Sequence, residues 1–179
     1  MKKVYVMTEL VIGGSGSGKS EYAENLCMKI KGKGKLYYIA AMIPYGDEAN
    51  KRIAKHREMR ADKGFETIEK YYNFHELKLD QSSTVLIECL SNLTANEIFE
   101  LREKNAAEKI FFGVKNIIDQ SKNVIIVSND IFSEDCIYGN ETEMYMKTLG
   151  DINYMLGNIV DNVTEVLFSV PIKYKEGKK

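Results

Sequence analysis

Short apolar runs alternate along the chain with segments whose apolar residues recur every three or four positions. Leu10–Ile12, Leu36–Ala41, Val85–Ile87, Val124–Val127 and Val166–Val170 read as strands, with Thr67–Ile68 a shorter one. Between them, Lys19–Ile30 places Tyr22, Ala23, Leu26 and Ile30 on one side of a helix. Asp47–Asp62 reads as a polar helix with Asp47 as its N-cap, Asn92–Gln120 as one long helix or two broken ones, and Glu143–Val160 as the last helix. Strands separated by helices imply βαβ units, hence an α/β fold with a mostly parallel sheet and helices on both faces. The unbroken run Val-Ile-Ile-Val at Val124–Val127 fits a strand buried on both sides. Only Pro44 and Pro171 interrupt the chain, and no stretch resembles a linker, so residues 1–179 are expected to form a single domain.

Composition narrows the classes without naming an activity. Twenty-five basic and 26 acidic side chains leave a net charge of −1, which gives no electrostatic footprint for nucleic acid or an anionic membrane. No apolar stretch approaches the roughly 18 residues of a membrane span. Met1–Ile12 reads as a strand with a short lead-in rather than a signal peptide. Cys27, Cys89 and Cys136 are scattered, with no metal-ligand spacing; Cys27 and Cys89 are expected to be buried free thiols, consistent with a reducing cytoplasm.

One short segment does carry chemistry. Gly13-Gly14-Ser15-Gly16-Ser17-Gly18-Lys19-Ser20 fits G-x-x-x-x-G-K-[ST] without a mismatch, between an apolar strand and an amphipathic helix. Glycines let the backbone turn its N–H groups around phosphate oxygens, and the following helix presents its positive end to the same anion. Lys19 can then reach the β- and γ-phosphates of ATP or GTP, and the Ser20 hydroxyl can ligate Mg²⁺. The acidic partner such a metal needs is expected at Glu88, where the strand Val85–Ile87 ends; Asp130, after Val124–Val127, is a second candidate.

Phosphate binding does not choose the reaction. The Asn-Lys-x-Asp motif of guanine-binding switch proteins is missing, and none of the four arginines lies between Asp130 and Lys179, where the lid of a nucleoside monophosphate kinase would carry several. Instead Arg52, Arg57 and Arg60 crowd one helix around His56, one of only two histidines. At helical spacing Arg52, His56 and Arg60 share a face. Neighbouring cations favour the neutral, nucleophilic imidazole and would also hold a triphosphate beside it. The same spacing also fits a surface helix with an incidental histidine. His75, among Tyr71, Tyr72 and Phe74, reads as a capping or packing histidine.

In order along the chain, these segments resemble a known family: the bifunctional adenosylcobinamide kinase/adenosylcobinamide-phosphate guanylyltransferases of cobalamin biosynthesis. The resemblance rests on Gly13 to Ser20, Tyr38-Ile39-Ala40, Arg52-Ile53 through His56 to Arg60, Thr67-Ile68-Glu69, Glu88-Cys89-Leu90 with Asn92-Leu93, Val127-Ser128-Asn129-Asp130, Leu149-Gly150 with Asn153, and Pro171-Ile172-Lys173. It implies a RecA-like P-loop NTPase fold, a corrinoid substrate, ATP or GTP with Mg²⁺, and a homotrimer. His56 would be the residue that carries GMP, and Lys19 would act with it. Arg60, Glu69 and Glu88 would join Gly13 to Ser20 in binding nucleotide, Ser20 and Glu88 would serve the metal, and Lys55, Arg57 or Arg60 could neutralise charge at phosphorus.

The chain departs from the family pattern in three places. Ser15 and Gly16 replace a usual Ala-Arg pair, Ile131–Tyr138 replaces a glycine-rich segment, and Glu143–Lys147 lacks an expected arginine. A kinase for another small alcohol, or a nucleotide-binding regulatory module without transfer activity, are the alternatives these departures leave open.

Overall fold

The computed structural model describes residues 6–131 and 139–177. Cys136 and most of the divergent segment after Asp130 lie outside the described residues. Seven strands form one sheet: β1 (Met7–Gly13), β2 (Leu36–Ala40), β3 (Glu66–Glu69), β4 (Thr84–Glu88), β5 (Asn123–Asn129), β6 (Asn162–Leu167) and β7 (Val170–Lys175). Their spatial order is β3-β2-β4-β5-β1-β6-β7, every neighbouring pair being parallel except β6 with β7.

Alternation of side chains along each strand explains the unbroken apolar runs. Leu10, Ile39, Ile87 and Ile126 enter the core on one face, under α3 (Leu90–Ala95), α4 (Ala106–Gln120) and α5 (Asn140–Ile159). Their neighbours Val11, Tyr38, Leu86 and Ile125 enter the core on the other, where α1 (Lys19–Ile30) packs. Cys27 and Cys89 are buried free thiols, as expected. Because the strands are parallel, the turns that follow β1, β2, β4 and β5 all emerge at the same end of the sheet, beyond the strands' C-termini, with Gly13 paired to Asn129 and Ala40 to Glu88.

The remaining helix, α2 (Gly46–Arg60), is different in kind. Arg60 is its sole buried residue, so it rests over the sheet edge by polar contacts rather than by an apolar stripe. Its N-cap position belongs to Tyr45 and makes no side-chain bond; Asp47 lies one residue inside the first turn, where its charge favours the helix dipole instead.

One open choice is decided and two further expectations change. The segment Asn92–Gln120 is broken: α3 begins at Leu90, a π-helical turn occupies Asn96–Glu100, and Arg102 takes a left-handed conformation (φ 52°) before α4. Val166–Val170 is not one strand but the tip of a hairpin, with Phe168 (φ 49°) and Ser169 (φ 64°) reversing the chain. Such a turn usually advertises itself by Asn-Gly or Asp-Gly, and Phe-Ser does not. His75 is exposed on a 3₁₀ turn at Phe74–Glu76, where Phe74 does the packing.

Candidate active site

The phosphate motif forms the turn between β1 and α1. Gly18, immediately before the helix, has φ 91°, and a side chain there would also meet the Ser169 hydroxyl at 2.6 Å. The Lys19 ammonium donates to the Gly14 carbonyl at 2.8 Å, so it spans the loop where phosphate oxygens would take over that bond. Burial lowers its pKa from the ordinary lysine value, partly opposed by Cys89 and Glu88.

Beyond the loop lies a cavity of about 550 Å³, lined among others by Ser20, Arg52, His56, Arg60 and Glu88. Ser20 donates its hydroxyl to Glu88 Oε1 at 2.5 Å. The other carboxylate oxygen of Glu88 is buried with no partner. Burial pushes the Glu88 carboxyl up to about 7 against the pull of Ser20, Lys19 and Arg60. A hydroxyl touching a buried carboxylate with a spare oxygen suits a Mg²⁺ ion, which commonly takes one or two protein oxygens and completes its shell with water and phosphate. Among the described residues no cluster of three or more His, Cys, Asp and Glu offers an all-protein metal site.

His56 lies on the cavity side of α2, with its Nδ1 3.9 Å from Glu88 Oε1. That separation exceeds a hydrogen bond, and Nδ1 is buried without a partner. Burial lowers the His56 pKa, followed by Arg60, Arg52, Lys55 and Lys19, so the ring is neutral near pH 7. Arg60, 6% exposed, stacks its guanidinium 3.7 Å from the Tyr38 ring centre and donates to Thr67 Oγ1 at 3.3 Å, leaving Nη1 unpaired. An unpaired guanidinium nitrogen in a cavity wall is a ready donor to a phosphate oxygen.

Of the residues singled out in the sequence, Ser15 to Ser20, Arg52, Lys55, His56, Arg60 and Glu88 are brought together as lining of this cavity. Gly13 and Gly14 support it from behind: the Gly13 carbonyl accepts the Asp130 N–H at 3.1 Å, and Gly14 receives Lys19. Three residues stand elsewhere. Glu69, on the edge strand β3, pairs with Arg57 at 2.6 Å and accepts from Tyr71, away from the cavity, and it takes Arg57 with it. Asp130 lines a separate cavity of about 400 Å³ with Ile12, Asn153 and Glu165. The sequence reading missed Tyr38, Asn92, Asn129 and Ser169 as lining residues. Tyr38 and Asn129 lie near or at the C-terminal ends of strands flanking the site, a position that could have flagged them.

The family model for cobinamide kinase / cobinamide phosphate guanyltransferase matches residues 9–174. No curated protein matches the chain. Among solved structures it is similar to a protein of Pyrococcus horikoshii OT3, at 16% identity over 98% of this chain and 89% of that one, with a TM-score of 0.54. It is also similar to the ATP synthase subunit NeqB of Nanoarcheaum equitans, at 10% identity over 90% of this chain and 45% of that one, with a TM-score of 0.53. At such identities the likeness is one of fold, that of the α/β P-loop NTPases. Among the described residues no helix is long and apolar enough to cross a membrane. With nearly the whole chain matched and a phosphate loop facing a histidine between arginines, the chain belongs to the cobinamide kinase/cobinamide phosphate guanyltransferase family, nucleotide-using transferases of cobalamin biosynthesis.

Proposed function

We propose that the protein phosphorylates adenosylcobinamide with ATP or GTP, and then transfers GMP from GTP to the new phosphate through a covalent histidine–GMP, giving adenosylcobinamide-GDP. The observation that carries the reading is the position of His56: neutral, between Arg52 and Arg60, in the wall of the phosphate-loop cavity and 3.9 Å from Glu88.

In the first reaction the acceptor hydroxyl oxygen bonds to the γ-phosphorus as the bond to the departing diphosphate breaks, and the hydroxyl proton is released to solvent. Lys19 and the loop amides hold the phosphates in line, so the protein contributes mainly position and charge. In the second, a ring nitrogen of His56 bonds to the α-phosphorus of GTP and pyrophosphate leaves. A phosphate oxygen of the acceptor then displaces the histidine and takes the GMP. Arg52, Lys55 and Arg60 offset the negative charge that gathers at phosphorus. Ser20 and Glu88 would hold Mg²⁺, which when bound offsets phosphate charge. By resemblance the proposal extends to a cytoplasmic homotrimer, which light scattering would test.

With GTP labelled at the α-phosphate, wild-type protein should retain label that acid releases and alkali spares, and His56→Ala should retain none. Unlabelled wild type sinks the covalent intermediate, and label persisting in His56→Ala moves the nucleophile elsewhere. Adenosylcobinamide should stimulate γ-phosphate loss. Without that stimulation the protein is a kinase for another alcohol or a regulatory module.

A further inference from the structure

Phe168 is 94% exposed, and its backbone is held at φ 49°, a conformation that favours glycine. It therefore buries almost nothing and makes its own turn harder to form, so packing and local preference do not explain it. Its neighbour does something definite. Ser169 donates its N–H to the Ser17 carbonyl at 2.8 Å, and its side chain stands against Gly18, so the β6–β7 turn is fastened to the phosphate loop. Ser169 itself lines the loop cavity. Phe168 is the next residue along, within about 3.8 Å from Cα to Cα.

The order of strands fixes which end of a bound nucleotide lies near it. Glu88 ends β4 and α2 follows β2, both on one side of β1, whereas the Phe168 turn lies on the other side, beyond β6. A phosphoryl donor must direct its γ-phosphate towards Ser20 and Glu88. Its nucleoside then leaves the loop on the hairpin side.

We propose that Phe168 is the stacking platform for the purine base of the phosphoryl-donor nucleotide, held out by a hairpin turn fastened to the phosphate loop. This rests on the nucleotide-binding reading of that loop. A flat aromatic face binds a base without choosing between adenine and guanine, which suits a kinase step that accepts ATP or GTP.

The chain contains no tryptophan, so Phe168→Trp creates a single reporter at the site. Its fluorescence should be quenched by a non-hydrolysable ATP analogue and left unchanged by inorganic tripolyphosphate. Phe168→Ala should weaken the analogue roughly 5- to 100-fold, the range expected for one lost base stack. Its affinity for tripolyphosphate should change less than twofold. Phe168→Gly relieves the turn; it should melt no lower than wild type and lose the same affinity for the analogue.

Affinity for the analogue that survives in both Phe168→Ala and Phe168→Gly overturns the stacking. An equal loss of tripolyphosphate also overturns it and assigns the turn to loop shape. A smaller oligomer with unchanged affinity for the analogue overturns it in favour of a subunit contact. If wild type binds neither the analogue nor tripolyphosphate, the phosphate-loop reading fails and the stacking falls with it.

Discussion

His56 Nδ1 and Glu88 Oε1 stand 3.9 Å apart without a hydrogen bond between them. The His56 pKa is lowered, and the Glu88 carboxyl is pushed up to about 7, with burial the leading cause for each. The two groups are therefore close without being a committed ion pair. A triphosphate with its metal, bound as proposed, would meet an unprotonated imidazole and a carboxyl that a cation would hold ionised.

If His56 carries GMP as proposed, its imidazole should set the pH dependence of covalent labelling. At saturating Mg²⁺, which would hold Glu88 ionised, the initial labelling rate should fall with pH and reach half its maximum below pH 6.5. A free imidazole would already be half protonated near 6.5. Arg52→Gln removes one of the cations that lower the His56 pKa and should move the decline to higher pH. A half-maximal rate at or above pH 6.5 in wild type contradicts the assignment.

Glu88 should make the metal-free fold less stable as pH rises. Its folded pKa of about 7 exceeds the ordinary 4.5, so the folded state binds more protons than the unfolded one in that interval. The stabilisation is complete below 4.5 and is lost as pH rises through 7, on the order of 3 kcal/mol in all. Urea titrations in a chelator at pH 5 and pH 7.5 measure it. Glu88→Gln keeps an acceptor for Ser20, should abolish that slope, and should be the more stable protein at pH 7.5 while losing Mg²⁺-dependent transfer. Parallel pH slopes in the two proteins would remove Glu88 as the cause.

Gly18→Ala tests the backbone of the phosphate loop. The position has φ 91°, and the added carbon would meet the Ser169 hydroxyl at 2.6 Å and its Cα at 3.2 Å. Left-handed strain alone costs about 1–2 kcal/mol. The variant should melt lower and bind tripolyphosphate at least tenfold more weakly, because the loop and the hairpin turn cannot both keep their places. Unchanged binding would mean that the loop tolerates a different shape.

The phosphate loop and the strands around it are local information, written as a motif and as apolar runs at the right intervals. Glu88 was legible because a strand end in an open parallel sheet is a defined place. Glu69 was not: whether a carboxylate on an edge strand faces the site depends on what α2 sets beside it, and Arg57 draws it outward. The hairpin was hidden because its turn uses Phe and Ser where glycine or asparagine would signal a reversal. Between one long helix and two broken ones over Asn92–Gln120 the sequence did not choose, and the break comes after Ala95. There Asn96 donates to the carbonyls of Ala41 and Tyr71, contacts 55 and 25 residues away that no window along the chain contains.

Arg60 should matter more to GMP transfer than to nucleotide binding. Its planar group stacks on Tyr38 while it reaches Thr67 on β3, and lysine cannot reproduce both contacts. Arg60→Lys should lower covalent labelling at least tenfold and change tripolyphosphate affinity less than threefold. Equal losses in both would place Arg60 on the phosphates of the loop rather than beside His56.

The last anchor of α2 lies just beyond its end. Lys63 reaches Glu24 on α1 at 2.6 Å; Glu24 is fully buried, and its second oxygen has no partner. Removing one member of a buried pair strands the other charge, a loss of about 3–5 kcal/mol where both partners are fully enclosed, whereas replacing both with apolar groups is often neutral. Lys63 is partly exposed (24%), so Lys63→Met should cost less, about 2 kcal/mol after solvent screening. Glu24→Leu combined with Lys63→Met should recover most of that stability in urea. Covalent GMP formation should stay depressed in the double variant, because α1 and the end of the His56 helix then lack their polar link. Recovery of labelling together with stability would reduce the pair to an ordinary buried charge.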